Sequence, residues 1–195
     1  MDLSGKVCVI TGASSGIGKS LSIKFASKGA SVALAARRKS KLTSITDEIK
    51  QSGGNAIGIK TDITKSIECK NLIDETLDQY GRIDLLLLGA GVSMWTPFEK
   101  ISDISFFKDV MDTNYTGAVH CVHAALPHLI SSKGMVVTCS TAQAIVGFTN
   151  HSGYAASKHA LHGFLDTLDM ELDGKVLFLE AFLGWIRGTN MRSNA

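Results

Sequence analysis

Only two prolines occur in 195 residues, and no Pro-, Gly- or Ser-rich stretch marks a linker. The chain reads as one domain, residues 1–195, long enough to bury its own core. Cysteines are few, at positions 8, 69, 121 and 139, with no Cys-x-x-Cys pair. Cys8 and Cys139 sit in apolar runs, where a reduced thiol behaves as a small hydrophobe, so this usage suits a reducing compartment and not a disulfide scaffold. His120-Cys121-Val122-His123 puts only His120 and His123 on one helical face, too few ligands for structural zinc, and no metal is expected. Charge of one sign is lacking too: the net charge is +2, and no basic run exceeds Arg37-Arg38-Lys39. That leaves no stripe for nucleic acid. Long hydrophobic runs are absent. The longest, around 85–92, is far short of a bilayer span, and the opening Met1-Asp-Leu-Ser-Gly-Lys lacks the basic and apolar regions of a secretory signal. The expectation is a cytoplasmic protein with no membrane anchor of its own.

What is present is an alternation of short apolar runs with longer amphipathic ones, in a composition 45% hydrophobic and 19% charged. Residues 6–11, 31–36, 55–60, 84–89, 135–140 and 175–182 read as six strands, mostly without in/out alternation, as parallel strands buried on both faces do. Helices are predicted at 16–28, 39–52, 65–80, 102–130 and 152–173, with glycines where they must stop. This βα alternation predicts an α/β fold, a Rossmann-type doubly wound parallel sheet with helices on both faces. In such sheets ligands bind beyond the carboxyl ends of the strands, where strand order reverses.

The first strand runs into Thr11-Gly12-Ala13-Ser14-Ser15-Gly16-Ile17-Gly18, and a helix follows at once. Gly12 permits the turn off the strand, Gly16 lets backbone approach a pyrophosphate, and Gly18 allows the helix to pack close to the sheet. The helix terminus supplies free N–H groups and partial positive charge, and Ser14 and Ser15 add hydroxyls. A glycine turn alone is weak, but here it occupies the strand-to-helix position that dinucleotide binding requires. The second strand ends without the carboxylate that would bind adenosine ribose hydroxyls. It continues into Arg37-Arg38, and a guanidinium at Arg37 suits a 2′-phosphate, so NADP(H) is the expected cofactor.

Tyr154 and Lys158 lie four residues apart on one face of the 152–173 helix. A free phenol has a pKa near ~10, and an adjacent ammonium, with the positive charge of an oxidised nicotinamide, is expected to lower it toward working pH.

The Thr-Gly-x-x-x-Gly-x-Gly turn at 11–18, followed by Tyr-x-x-x-Lys at 154–158, resembles the short-chain dehydrogenase/reductase family, and the resemblance runs over essentially the whole chain. It implies that Asp62, with Ile63 beside it, contacts the adenine. It also implies that Asn114, in Asp112-Thr113-Asn114-Tyr115-Thr116-Gly117, supports a proton relay through the lysine and water. The family's carbonyl-holding serine stands thirteen residues before the tyrosine, which here is Thr141, with Ser140 as the alternative after a one-residue shift. A threonine hydroxyl donates the same hydrogen bond. The usual Asn-Asn-Ala-Gly after the fourth strand is Leu88-Gly89-Ala90-Gly91, which leaves Ala90 and Gly91 to approach the cofactor with backbone atoms. Leu183-Gly184 replaces the usual Pro-Gly. Trp185-Ile186-Arg187-Gly188-Thr189 resembles the nicotinamide-carboxamide loop, with Ile186 and Thr189 as its contacts and the register open.

The implied activity is interconversion of a ketone or other carbonyl with an alcohol by hydride transfer, with Tyr154 as general acid/base, on a carbonyl, steroid-type or lipid-ketone substrate. The alternatives are a 3-oxoacyl-thioester reductase of the same family and a non-catalytic NADP-binding interaction protein. The family also implies a homodimer, formed through the 102–130 and 152–173 helices, or a homotetramer. Beyond Ala195 it implies a substrate-covering loop, a helix and a seventh strand, so the chain is expected to be C-terminally truncated.

Overall fold

The computed structural model describes residues 2–186 and residue 189. Six strands, β1 (Val7–Thr11), β2 (Ser31–Ala36), β3 (Asn55–Lys60), β4 (Leu85–Leu88), β5 (Met135–Thr141) and β6 (Leu177–Leu183), form one sheet in the order β3-β2-β1-β4-β5-β6. Every neighbouring pair is parallel, with Val9 opposite Ala33 on one side and Leu86 on the other. The order reverses beside β1, which puts a crevice between the carboxyl ends of β1 and β4.

Six α-helices, α1 (Gly16–Ala26), α2 (Lys39–Gln51), α3 (Ser66–Tyr80), α4 (Ser105–Met111), α5 (Gly117–Ser132) and α6 (Ser152–Leu172), connect the strands. They cover both faces because strand residues alternate between two cores. Cys8, Ile10 and Leu34 pack with Leu42, Ile45 and Ile49 of α2, whose three- and four-residue spacing makes one apolar stripe. Val9, Leu86 and Leu88 face Leu72 of α3, Leu129 of α5 and Leu161 of α6. The central β1 is buried throughout, whereas the edge strand β3 alternates with solvent. At the opposite end of the sheet from the crevice, Asp84 accepts from the Val7 amide and Lys6 Nζ, each at 3.0 Å, and from Arg82 at 2.7 and 2.8 Å.

The continuous helix expected over 102–130 is divided. A π-helical turn, Asp112–Thr116, separates α4 from α5. Its cause is Asn114, 1% exposed and turned inward: Oδ1 accepts from the Val92 amide, while Nδ2 donates to the Val92 carbonyl and to Ser157 Oγ, all at 2.9 Å. A π turn inserts one residue and re-aims a side chain, and such turns are frequent at functional sites.

Candidate active site

The turn after β1 is built by close backbone approach. Gly12 has φ 67°, and a Cβ there would lie 2.5 Å from the Gly89 carbonyl oxygen; a Cβ on Gly18 would lie 2.5 Å from the Gly12 oxygen. Thr11 fixes this contact, its hydroxyl donating to the Leu87 carbonyl at 3.2 Å and accepting from the Gly89 and Ala90 amides at 3.1 and 3.2 Å. No side chain caps α1, and Gly16, which begins it with φ 54°, lines the crevice with Thr189 beside it.

This crevice is one cleft of about 1050 Å³, and apart from Asn114 it brings together the expected site residues that the structure describes. Gly12, Ser14, Ser15, Gly16, Ile17 and Gly18 line it with Arg37, Asp62, Ile63, Ala90 and Gly91, and Thr141, Tyr154, Lys158, Ile186 and Thr189 line it further along. Asn114 stands behind it, holding the loop that carries Val92. Arg187 and Gly188 lie outside the described residues. The volume exceeds a typical single-ligand pocket and suits a dinucleotide with a second molecule beside it.

At one end, Arg38 donates to Ser14 Oγ at 2.8 and 3.2 Å and to Ser15 Oγ at 3.0 Å. Arg38 was not singled out by sequence reasoning. The only available signal was its adjacency to Arg37, which lines the same cleft. Asp62 turns back on itself, accepting from the Thr64 hydroxyl at 2.8 Å and amide at 3.1 Å. Burial works against its charge, but those hydrogen bonds and the Arg37 and Lys65 cations outweigh it and hold the carboxyl below its ordinary range.

At the other end, Tyr154 and Lys158 are 8% and 5% exposed on α6, with Lys158 Nζ 5.8 Å from the tyrosine ring centroid. Lys158 Nζ donates to the Cys139 carbonyl at 3.4 Å. The expected lowering of the phenol by the ammonium is not found in the protein alone: burial pushes Tyr154 up to about 12. Burial also pulls Lys158 down, with Cys139 and Glu180 opposing. Burial therefore favours the neutral phenol. Ser157, another residue the sequence did not flag, links Asn114 to this helix by donating to the Tyr154 carbonyl at 2.7 Å. Thr141 ends β5, and its hydroxyl oxygen accepts from the Gln143 amide at 3.4 Å, leaving the hydroxyl proton for another acceptor. Ser140 lines the same cleft from the opposite face of the strand.

The wall beyond Tyr154 is aromatic. Trp95 meets Trp185 at 5.4 Å and His151 at 4.7 Å between ring centroids, both edge-on, and Phe148 and Ile186 stand nearby in the cleft. His120 lies elsewhere, with Nδ1 3.1 Å from the Ile63 carbonyl, and the Cys121 thiol meets the Cys69 thiol at 3.6 Å. Among the described residues no helix is long and apolar enough to cross a membrane.

A family model described as short chain dehydrogenase matches residues 6–195. The 11-beta-hydroxysteroid dehydrogenase 1A of Arabidopsis thaliana is 41% identical over 176 residues, which is 90% of this chain and 50% of that protein. Among solved structures, the alcohol dehydrogenase of the archaeon Thermococcus sibiricus, complexed with 5-hydroxy-NADP, superposes with a TM-score of 0.92 at 25% identity, over 97% of this chain and 80% of that one. A short chain dehydrogenase/reductase of Burkholderia phymatum in complex with NAD gives a TM-score of 0.93 at 27% identity, over 100% and 70%. The chain spans about half the length of the curated relatives it matches.

Proposed function

The chain belongs to the short chain dehydrogenase family of oxidoreductases, and we propose that it is an NADP-dependent reductase of bulky apolar ketones. The observation that carries this reading is the sharing of one cleft by the glycine turn and a buried Tyr154–Lys158 pair.

The turn fits a dinucleotide because its backbone is exposed toward the cleft and any Cβ at Gly12 or Gly18 would collide with backbone. Ser14, Ser15 and Arg38 would hold phosphate, Asp62 and Ile63 would flank the adenine, and Ala90 and Gly91 would offer backbone atoms further along. Arg37 and Arg38, with no carboxylate at the end of β2, favour a 2′-phosphate. When bound, the cofactor supplies the hydride for the carbonyl carbon.

The chain's own residues manage the oxygen. Thr141 donates a hydrogen bond to it, with Ser140 as the alternative donor. Tyr154 then passes its phenolic proton to that oxygen as negative charge develops. Lys158 stabilises the phenolate left behind, and Asn114, acting through Ser157, keeps α6 in place. Trp95, Trp185 and Phe148 exclude water and favour an apolar frame. Exposed Ile130 and Met170, on α5 and α6, fit a homodimer built on those helices, alone or within a homotetramer, and the four free thiols fit a reducing compartment such as the cytoplasm.

Tyr154→Phe tests the assignment. NADPH oxidation with a panel of fused-ring ketones should fall by about 100-fold or more, the usual contribution of a general acid, while NADPH binding persists. Undiminished reduction by the variant contradicts the role of Tyr154.

A further inference from the structure

His151 directly precedes α6, three residues before Tyr154, and is 5% exposed. Its backbone is tied on both sides. The preceding Asn150, left-handed at φ 67°, accepts the Thr96 amide at 2.9 Å, and the His151 carbonyl accepts the Ala155 amide at 2.7 Å. The imidazole is tied as well, with Nδ1 2.8 Å from the Thr149 carbonyl oxygen. A carbonyl oxygen only accepts, so Nδ1 carries the proton, and in the neutral ring Nε2 is left as an acceptor. Among the described residues Nε2 makes no hydrogen bond. The ring stands 4.7 Å from that of Trp95 and 6.3 Å from that of Tyr154, and all three line the cleft. A second acceptor belongs to the same lining: Gln143 is 9% exposed, and its Oε1 is buried with no donor among the described residues.

An acceptor on an aromatic wall loses its water when an apolar ligand enters, and that loss is uncompensated unless the ligand brings a donor. We infer that His151 is a specificity-determining residue that accepts a hydrogen bond from a substrate hydroxyl near the reacting carbonyl, so that the preferred substrates are hydroxyketones on an apolar frame. This rests on the reductase reading above and deepens it.

The test uses the chain itself with NADPH and NADH, and a panel of bicyclic and steroid ketones. Each ketone is paired with an analogue carrying a hydroxyl within a few bonds of the carbonyl. Wild type should favour the hydroxyketone in at least one pair. His151→Phe keeps a ring beside Trp95 but removes the acceptor. It should lower the hydroxyketone-to-ketone ratio of kcat/KM by about threefold to tenfold, the worth of one neutral hydrogen bond, with the change chiefly in KM. His151→Gln, which carries an acceptor to similar reach, should restore most of the ratio. An unchanged ratio in His151→Phe, or equal losses for both members of each pair, overturns the inference and leaves the reductase reading standing. If wild type binds NADPH yet reduces no member of any pair, the reductase reading falls and this inference falls with it.

Discussion

Lys158 holds its ammonium nitrogen 5.8 Å from the centre of the Tyr154 ring, one helical turn along α6, and both side chains are buried. Burial acts on the two groups in opposite directions. It pushes the phenol up to about 12 and the ammonium below its ordinary value. As pH rises the lysine therefore loses its proton first, while the tyrosine keeps the proton that the proposed reduction would use. The alkaline limb of kcat/KM for ketone reduction, which reports the free enzyme, should belong to Lys158 and lie below the ordinary lysine value of about 10.4. A pH–rate profile checks this; a limb near the tyrosine value, with none at lower pH, would assign the loss to Tyr154 instead.

The same burial makes Lys158 a cost to stability. Its folded pKa is depressed, so the protonated side chain destabilises the fold at every pH below the folded value, and the penalty disappears above the unfolded value near ~10.4. Lys158→Met should abolish turnover and yet stabilise the protein by about 1–4 kcal/mol at neutral pH, as apolar replacement of buried ionic groups often does. The gain should shrink toward alkaline pH. Thermal melts of wild type and variant across pH measure it. A Lys158→Met protein less stable than wild type at neutral pH would show that the ammonium contributes net packing or bonding that burial does not cancel.

Arg38 and Arg37 make different contacts in the cleft. It donates to both Ser14 and Ser15, whereas Arg37 lies near enough to Asp62 to depress that carboxyl. Under the NADP reading, Arg38→Ala removes a charge-assisted contact and the tether on two serine hydroxyls together. It should lower kcat/KM for NADPH about 10–100-fold relative to NADH, in line with the worth of hydrogen bonds to charged groups. Equal losses with both cofactors would mean that Arg38 only shapes the turn.

Much of this was legible in the sequence because it depends on local spacing. Runs such as Leu85–Leu88 are apolar because strands covered on both faces must be, and the Gly12–Gly18 turn and the Tyr154–Lys158 pair are fixed offsets that a strand end or a helix face converts directly into geometry. The rest depends on partners far along the chain. The π turn at Asn114 exists because its amide meets Val92 and Ser157. Which of two adjacent arginines reaches the serines is set by the path of the chain out of β2 into α2, where Arg38 takes φ −89° and ψ 88°. The aromatic wall joins Trp95 after β4 to Trp185 after β6, an encounter that only the sheet order makes. The raised phenol of Tyr154 follows from burial, which no motif records.

Gly89 stands where the family's usual Asn-Asn-Ala-Gly has its second asparagine, and here packing makes the exchange one-way. A Cβ at Gly89 would lie 2.8 Å from the Thr11 carbonyl oxygen, and the Gly89 oxygen already closes on Gly12 to within 2.5 Å of where a Cβ would stand. Both neighbours are backbone, so neither can rotate away, and relief requires β1 and the loop after β4 to separate. That separation would also stretch the bonds from the Gly89 and Ala90 amides to the Thr11 hydroxyl. Gly89→Asn should therefore destabilise the protein by about 1–3 kcal/mol, the usual cost of overpacking, although it restores a residue common among relatives. Cofactor affinity should fall with it, because the same movement displaces the glycine turn. Thermal melting together with cofactor titration checks both. A variant that melts at the wild-type temperature and binds cofactor more tightly would mean that the strand ends yield at little cost, and that the missing amide outweighs the close approach.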